Sequence, residues 1–108
     1  MADTSINKQQ VIFQYHDVSA SEAIESFTKD KLENVFSRFE FVTRADVFFK
    51  TENTSSDETG KISGIRLSAP GPRLFAESSK DDFQAAVSES VKELLKQLEK
   101  RKQTMKTH

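Results

Sequence analysis

Apolar side chains recur along this chain with two different periods, and each change of period marks a new element. In QVIFQYHD, Val11, Phe13 and Tyr15 alternate against Ile12 and Gln14, as in a strand with one buried face. VSASEAIESFTKDKLENVFSRF shifts to helical spacing. Ile24, Leu32, Val35 and Phe39 fall on one stripe, Phe27 and Phe36 flank it, and Thr28 takes its missing step. Ser19 followed by Glu22 fits a capping box, in which each side chain satisfies a backbone donor, so a helix is predicted over about 20–39. RADVFFKTEN returns to period two, with Ala45, Val47 and Phe49 on one face and Arg44, Asp46, Phe48 and Lys50 on the other. NTSSDETG has no apolar residue and ends in Gly60, which predicts a loop.

KISGIRLSA sets Ile65, Leu67 and Ala69 against Gly64, Arg66 and Ser68. PGP at 70–72 predicts a tight turn, because proline fixes φ and Gly71 can take a positive one. RLFAE reads as a fourth strand, Leu74 and Ala76 opposite Phe75. SSKDDF then predicts a helix start, with Ser79 as N-cap and Asp81 and Asp82 in the first turn, where the helix dipole favours acids. Phe83, Val87, Val91, Leu94 and Leu98 form one apolar stripe, and no Gly or Pro interrupts it. The predicted order is β-α-β-β-β-α, an α+β two-layer sandwich. Its four-stranded sheet carries both helices on one face, and its last three strands form an antiparallel meander. The expected organisation is a single domain over 9–104, with flexible tails at 1–8 and 105–108.

Composition narrows the possible functions. The 108 residues are 35% hydrophobic and 31% charged, which suits one soluble globular domain. Cysteine is absent, so neither disulfides nor thiolate chemistry is available. MADTSINKQQ lacks the apolar core of a secretory signal, and no apolar run approaches the roughly 20 residues of a membrane span. A cytoplasmic location is expected, with no membrane partner. Catalytic constellations are also missing. His16 and Asp17 are adjacent without a nucleophile motif, and read as a surface pair at a strand end. The Asp81–Asp82 pair is better explained by its helix start than by a metal. PGP is no phosphate loop, since GxxxxGK[ST] is absent. No enzymatic activity, cofactor or small-molecule substrate is expected.

Charge supplies the remaining signal. The net charge is −1, yet residues 91–108 carry six Lys and Arg against Glu93 and Glu99, while the preceding ninety residues are net acidic. Lys92, Lys96 and Lys100 repeat at i, i+4 and i+8 beside the apolar stripe, and Arg101, Lys102 and Lys106 extend them. The helix dipole stabilises cations in the last turn only, by roughly 0.3–1 kcal/mol each, so it does not account for Lys92 or Lys96. On the first helix Lys29, Lys31 and Arg38 stand among Glu25, Asp30 and Glu33. Charge alone leaves two readings open, a solvated helix face or an RNA-binding one. Phe48 and Phe75 both point away from the predicted core. They could shield an open sheet by pairing across strands, or stack nucleobases.

The succession SEAIESFTKDKLENVFSRF, ADVFFKTEN, LSAPGPRLFAES and DDFQAAVSESVKELLKQLEKRKQ resembles the ribosome hibernation promoting factors and ribosome-associated inhibitor proteins, also called the sigma-54 modulation protein family. The resemblance spans about residues 10–103. It implies a β-α-β-β-β-α fold similar in topology to double-stranded-RNA-binding domains. It also implies a translation inhibitor that binds ribosomal RNA of the small ribosomal subunit, between head and body where mRNA and tRNA lie, under stress or in stationary phase. Lys31, Lys96 and Lys100 stand where that family is usually basic; Lys92, Arg101 and Lys102 lie on adjoining turns, and Arg38 is displaced by one residue. Three commonly basic positions read Asn34, Ser37 and Glu93 here. Since longer relatives add a dimerisation domain, the short form is expected to act as a monomer. Replacing Lys96, Lys100 and Arg101 by Glu is expected to abolish binding with the thermal melt nearly unchanged. The competing readings are a protein-interaction module that keeps the fold without the ribosome, a small hydrolytic enzyme lacking an evident catalytic residue, and a binder of free double-stranded RNA, which the net charge disfavours.

Overall fold

In the computed structural model, which describes residues 9–52 and 60–106, strand alternation and helical stripes converge on one apolar layer. Strand β1 (Gln10–His16) turns Val11, Phe13 and Tyr15 inward, and helix α1 (Glu22–Arg38) lays Leu32 and Val35 over the same layer. Strands β2 (Arg44–Thr51), β3 (Lys61–Ser68) and β4 (Leu74–Lys80) contribute Val47, Phe49, Ile65, Leu67 and Leu74, and helix α2 (Phe83–Lys106) closes it with Val87, Val91, Leu94 and Leu98. Each large aliphatic side chain so buried contributes on the order of 1.5–3 kcal/mol relative to exposure. The result is an α+β fold, a four-stranded mixed sheet with two helices.

The sheet order is β1-β2-β3-β4. β2, β3 and β4 pair antiparallel as the predicted meander, while β1 runs parallel to β2, Gln10 opposite Arg44 through His16 opposite Lys50. A parallel neighbour needs a crossover, and α1 supplies it. The linker back from α1 is not idle. Val42 is fully buried, and its carbonyl accepts a hydrogen bond from the Gln9 amide at 2.9 Å.

Two helix caps differ from the sequence expectation. α1 is capped by Ser21, whose extended backbone lets its hydroxyl accept from the Ile24 N–H at 3.2 Å. Ser19 stands two residues outside, because Asp17 turns the chain with φ 58° and the helix starts only at Glu22. Ser79, read as the second cap, belongs to β4, and its hydroxyl accepts from the Gly60 N–H at 3.2 Å. Asp82 caps α2 instead, taking the Ala85 N–H at 2.7 Å on its carboxylate. The strand thus outruns its apolar residues by four polar ones, Glu77 to Lys80, which period-two hydrophobicity cannot register. Thr28 does fill its place in the stripe: it is fully buried and donates to the Ile24 carbonyl at 2.8 Å. The loop expected over 53–60 lies outside the described residues except for Gly60, as do the tail at 1–8 and the final two residues.

Candidate functional site

Of the cations singled out in the sequence, Lys31, Lys92, Arg38 and Lys102 line hollows between the two helices. A groove of about 610 Å³ runs there, lined by Phe27, Lys31, Asn34, Val91, Lys92 and Leu95 among others. It brings Lys31 of α1 and Lys92 of α2 onto one opening, with an apolar floor between them. Further along the same helix pair a second hollow of about 320 Å³ brings Arg38 and Lys102 together with Phe41 and Met105. Lys96 and Lys100 are exposed on α2, continuing the line from Lys92 one and two helical turns on.

The seven candidate cations are not equally free. Arg38 donates to Glu99 at 3.0 Å, an ion pair between two half-exposed side chains that holds α1 to α2. Exposed pairs of this kind contribute at most about 1 kcal/mol. Its guanidinium also lies 5.2 Å from the centroid of the Phe39 ring, and the Lys102 ammonium lies 5.7 Å from that same ring. Lys31 sits over Phe27 at 5.4 Å. Such contacts leave an ammonium's N–H donors facing solvent. Lys92, Lys96 and Lys100 make no side-chain hydrogen bond or ion pair among the described residues.

Arg101 is different. Its guanidinium reaches across to the 70–72 turn and donates to the Pro70 carbonyl at 2.7 Å and the Pro72 carbonyl at 2.9 Å. Gly71, at φ 93°, leaves room for it: a side chain there would stand 3.2 Å from a guanidinium nitrogen. The residue read as part of a basic patch thus works as a clasp between helix and turn. The sequence could not show this, because a guanidinium aimed at backbone carbonyls carries no local spacing signal. With Arg101 bonded to this turn, a melt left unchanged is expected of Lys96 and Lys100 substitutions rather than of ones that include Arg101.

Positions that dilute the charge are equally plain. Asn34 lines the groove between Lys31 and Lys92, and Ser37 turns its hydroxyl back to the Asn34 carbonyl at 3.1 Å. Glu93 is exposed beside Lys92. Among the described residues no three His, Asp or Glu side chains cluster as metal ligands would, and no helix is long and apolar enough to cross a membrane.

On the other side of the sheet lie the two rings that the sequence left between cross-strand pairing and base stacking. Phe48 and Phe75 lie near-parallel, their ring centroids 6.3 Å apart and 19° between planes. Arg66 stands 5.9 Å from the Phe75 centroid and Lys50 5.5 Å from that of Phe48. Alternation had placed both rings on this face, but only the register brings them together.

A family model described as sigma 54 modulation protein / S30EA ribosomal protein matches residues 11–106. A ribosomal subunit interface protein from Coxiella burnetii is similar in structure, with a TM-score of 0.74 and 21% identity, over 87% of this chain and 98% of that one. The N-terminal domain of Protein Y from Thermus thermophilus is similar at a TM-score of 0.67 and 20% identity, over 87% of this chain and 97% of that one. At such identities the likeness is one of fold. No individual curated protein matches the sequence significantly.

Proposed function

The chain belongs to the sigma-54 modulation protein / S30EA ribosomal protein family, a ribosome-associated and hibernation-linked family of non-catalytic proteins, and from that premise we propose that it binds ribosomal RNA of the small subunit and inhibits translation there. The site is the cationic line along the helices: Lys31, Lys92, Lys96, Lys100 and Lys102, with Arg38 able to join by leaving Glu99 and Arg101 acting mainly by holding α2 in place. The proposed position is the channel that mRNA and tRNA would otherwise occupy, in idle cytoplasmic ribosomes under stress or in stationary phase, with the protein acting as a monomer. That the similar Coxiella burnetii structure is a ribosomal subunit interface protein supports a position between subunits. The proposed similarity to double-stranded-RNA-binding topology likewise points towards structured RNA.

One observation carries the proposal. Lys92, Lys96 and Lys100 stand in a row on a helix whose core stripe does not need them, and none forms an ion pair with a described residue. Three ammonium groups at that spacing can each take a phosphate, and every phosphate neutralised adds nearly one unit to the log–log salt slope. The test is cosedimentation with purified small subunits at low and raised salt. Wild-type protein is expected to pellet at low salt and fade as salt rises. Lys96→Glu with Lys100→Glu is expected to lose pelleting while the thermal melt moves by no more than about 2–4 °C, since exposed substitutions usually shift stability by under about 0.5 kcal/mol. Undiminished pelleting of that double variant would sink the assignment. Salt-insensitive binding would favour a protein partner instead.

A further inference from the structure

We propose that the open face of the sheet is a second RNA-binding surface, on which the rings of Phe48 and Phe75 stack single-stranded bases while Arg66 and Arg73 hold the adjoining phosphates. The choice of RNA over DNA rests on the ribosomal reading above; the surface itself lies on the opposite face from the helices. The pairing register lays out this face. Ile12, Asp46, Arg66 and Phe75 form one row across the four strands, and Gln14, Phe48, Gly64 and Glu77 form the next. Because Gly64 has no side chain, the Phe48 ring occupies the place its Cβ would take and leans towards Phe75 in the neighbouring row. The two near-parallel rings form one aromatic pair across β2, β3 and β4.

Covering a sheet glycine explains Phe48 as packing alone. It does not explain Phe75, which remains 41% exposed although every other phenylalanine among the described residues is more deeply buried. Cations border this surface. Arg44, Arg66 and Arg73 line a polar hollow of about 320 Å³ with Gln14, Asp46 and Ser68, and Arg66 also lines a smaller hollow against both rings. Asp46 is already engaged by Arg44, at 2.9 and 3.1 Å, so it does not neutralise Arg66 or Arg73. An aromatic pair bordered by guanidiniums matches a polymer that alternates aromatic bases with phosphates. An apolar protein segment would use the rings but leave the arginines without partners. Stacking tolerates any base, so recognition here is of single-strandedness and not of sequence.

The test uses the full chain and a fluorescent single-stranded oligoribonucleotide of about ten residues, within the site sizes such surfaces cover, read by fluorescence anisotropy at low salt. Phe75→Ala is expected to weaken binding about tenfold, as loss of one stacked base does, while Phe75→Tyr retains it. Arg66→Gln with Arg73→Gln should flatten the salt slope by about 1.4 units, the single-strand value for two phosphate contacts. Lys96→Glu with Lys100→Glu should leave that Phe75 dependence intact. Equal affinity of wild type and Phe75→Ala overturns the proposal, as does equal binding of an abasic oligomer of the same length. Self-association of the free protein that disappears in Phe75→Ala also overturns it, assigning the face to a second copy. The two readings fail separately, because loss of small-subunit pelleting in the helix variant does not predict loss of oligomer binding through Phe75.

Discussion

Ser63 and Ser90 are both fully buried, and only one of their hydroxyls has a partner. Ser90 on α2 donates to the Ser63 carbonyl at 3.0 Å, tying helix to sheet, while the Ser63 hydroxyl has no partner. A buried hydroxyl without a bond costs about 1–3 kcal/mol against an apolar group of similar size. Ser63→Ala is therefore expected to raise stability by about 1 kcal/mol in denaturant unfolding, and a clear loss would show that the hydroxyl is satisfied in solution. Tyr15, the sole tyrosine, donates to Glu25 at 2.7 Å. Burial, and then that hydrogen bond to a carboxylate, push its phenol above the usual value. A raised value in the fold means that the neutral phenol contributes stability fully present below about pH 10, lost as pH rises through the folded value. Tyrosinate absorbance should therefore titrate later in the folded chain than in urea, and Glu25→Gln should bring the two closer. Coincident curves would contradict the bond. Neither serine could be singled out in advance. Their spacing is that of any small residue in an element, and the difference between them is a matter of which carbonyl lies opposite.

At the scale of elements, legibility follows the size of the hydrophobic signal. Both helices and all four strands stand in the sequence, because five-step apolar stripes and clean alternation have few other readings. The parallel pairing of β1 with β2 needed the sheet itself, since alternation fixes which residues face inward and says nothing about a strand's neighbour or direction. Caps were misread where a polar element end offers several serines and aspartates with equal claim. The Arg101 clasp has a direct consequence. Arg101→Ala removes two charge-assisted hydrogen bonds to the turn, which at an exposed site contribute about 1 kcal/mol. The expected change is a melting temperature lower by roughly 4–8 °C, whereas Lys96→Ala should leave it where it was. Identical melts for the two variants would return Arg101 to the binding surface.

The whole molecule is a thin plate, 18 Å across its shortest axis, with helices on one broad side and a bare sheet on the other. A net charge of −1 conceals a row of exposed lysines along α2, with Asp30 and Glu40 lining the hollows beside it. Composition showed that imbalance, and the resemblance gave it a ribosomal meaning. Which lysines form no ion pair with a described residue emerged only once the folded neighbours were in place. β4 forms one margin of the plate, and a strand at a margin exposes backbone groups that can recruit a further strand from another molecule. On that margin Gln97 of α2 donates to the Phe75 carbonyl at 3.0 Å, and one helical turn on, Arg101 holds the carbonyls of Pro70 and Pro72. An incoming strand would have to evict Gln97 from the Phe75 carbonyl and pass the turn that Arg101 holds. The same helix that presents lysines outward thereby blunts the sheet's free edge against aggregation, so dispersal and binding are assigned to different sides of one 24-residue segment.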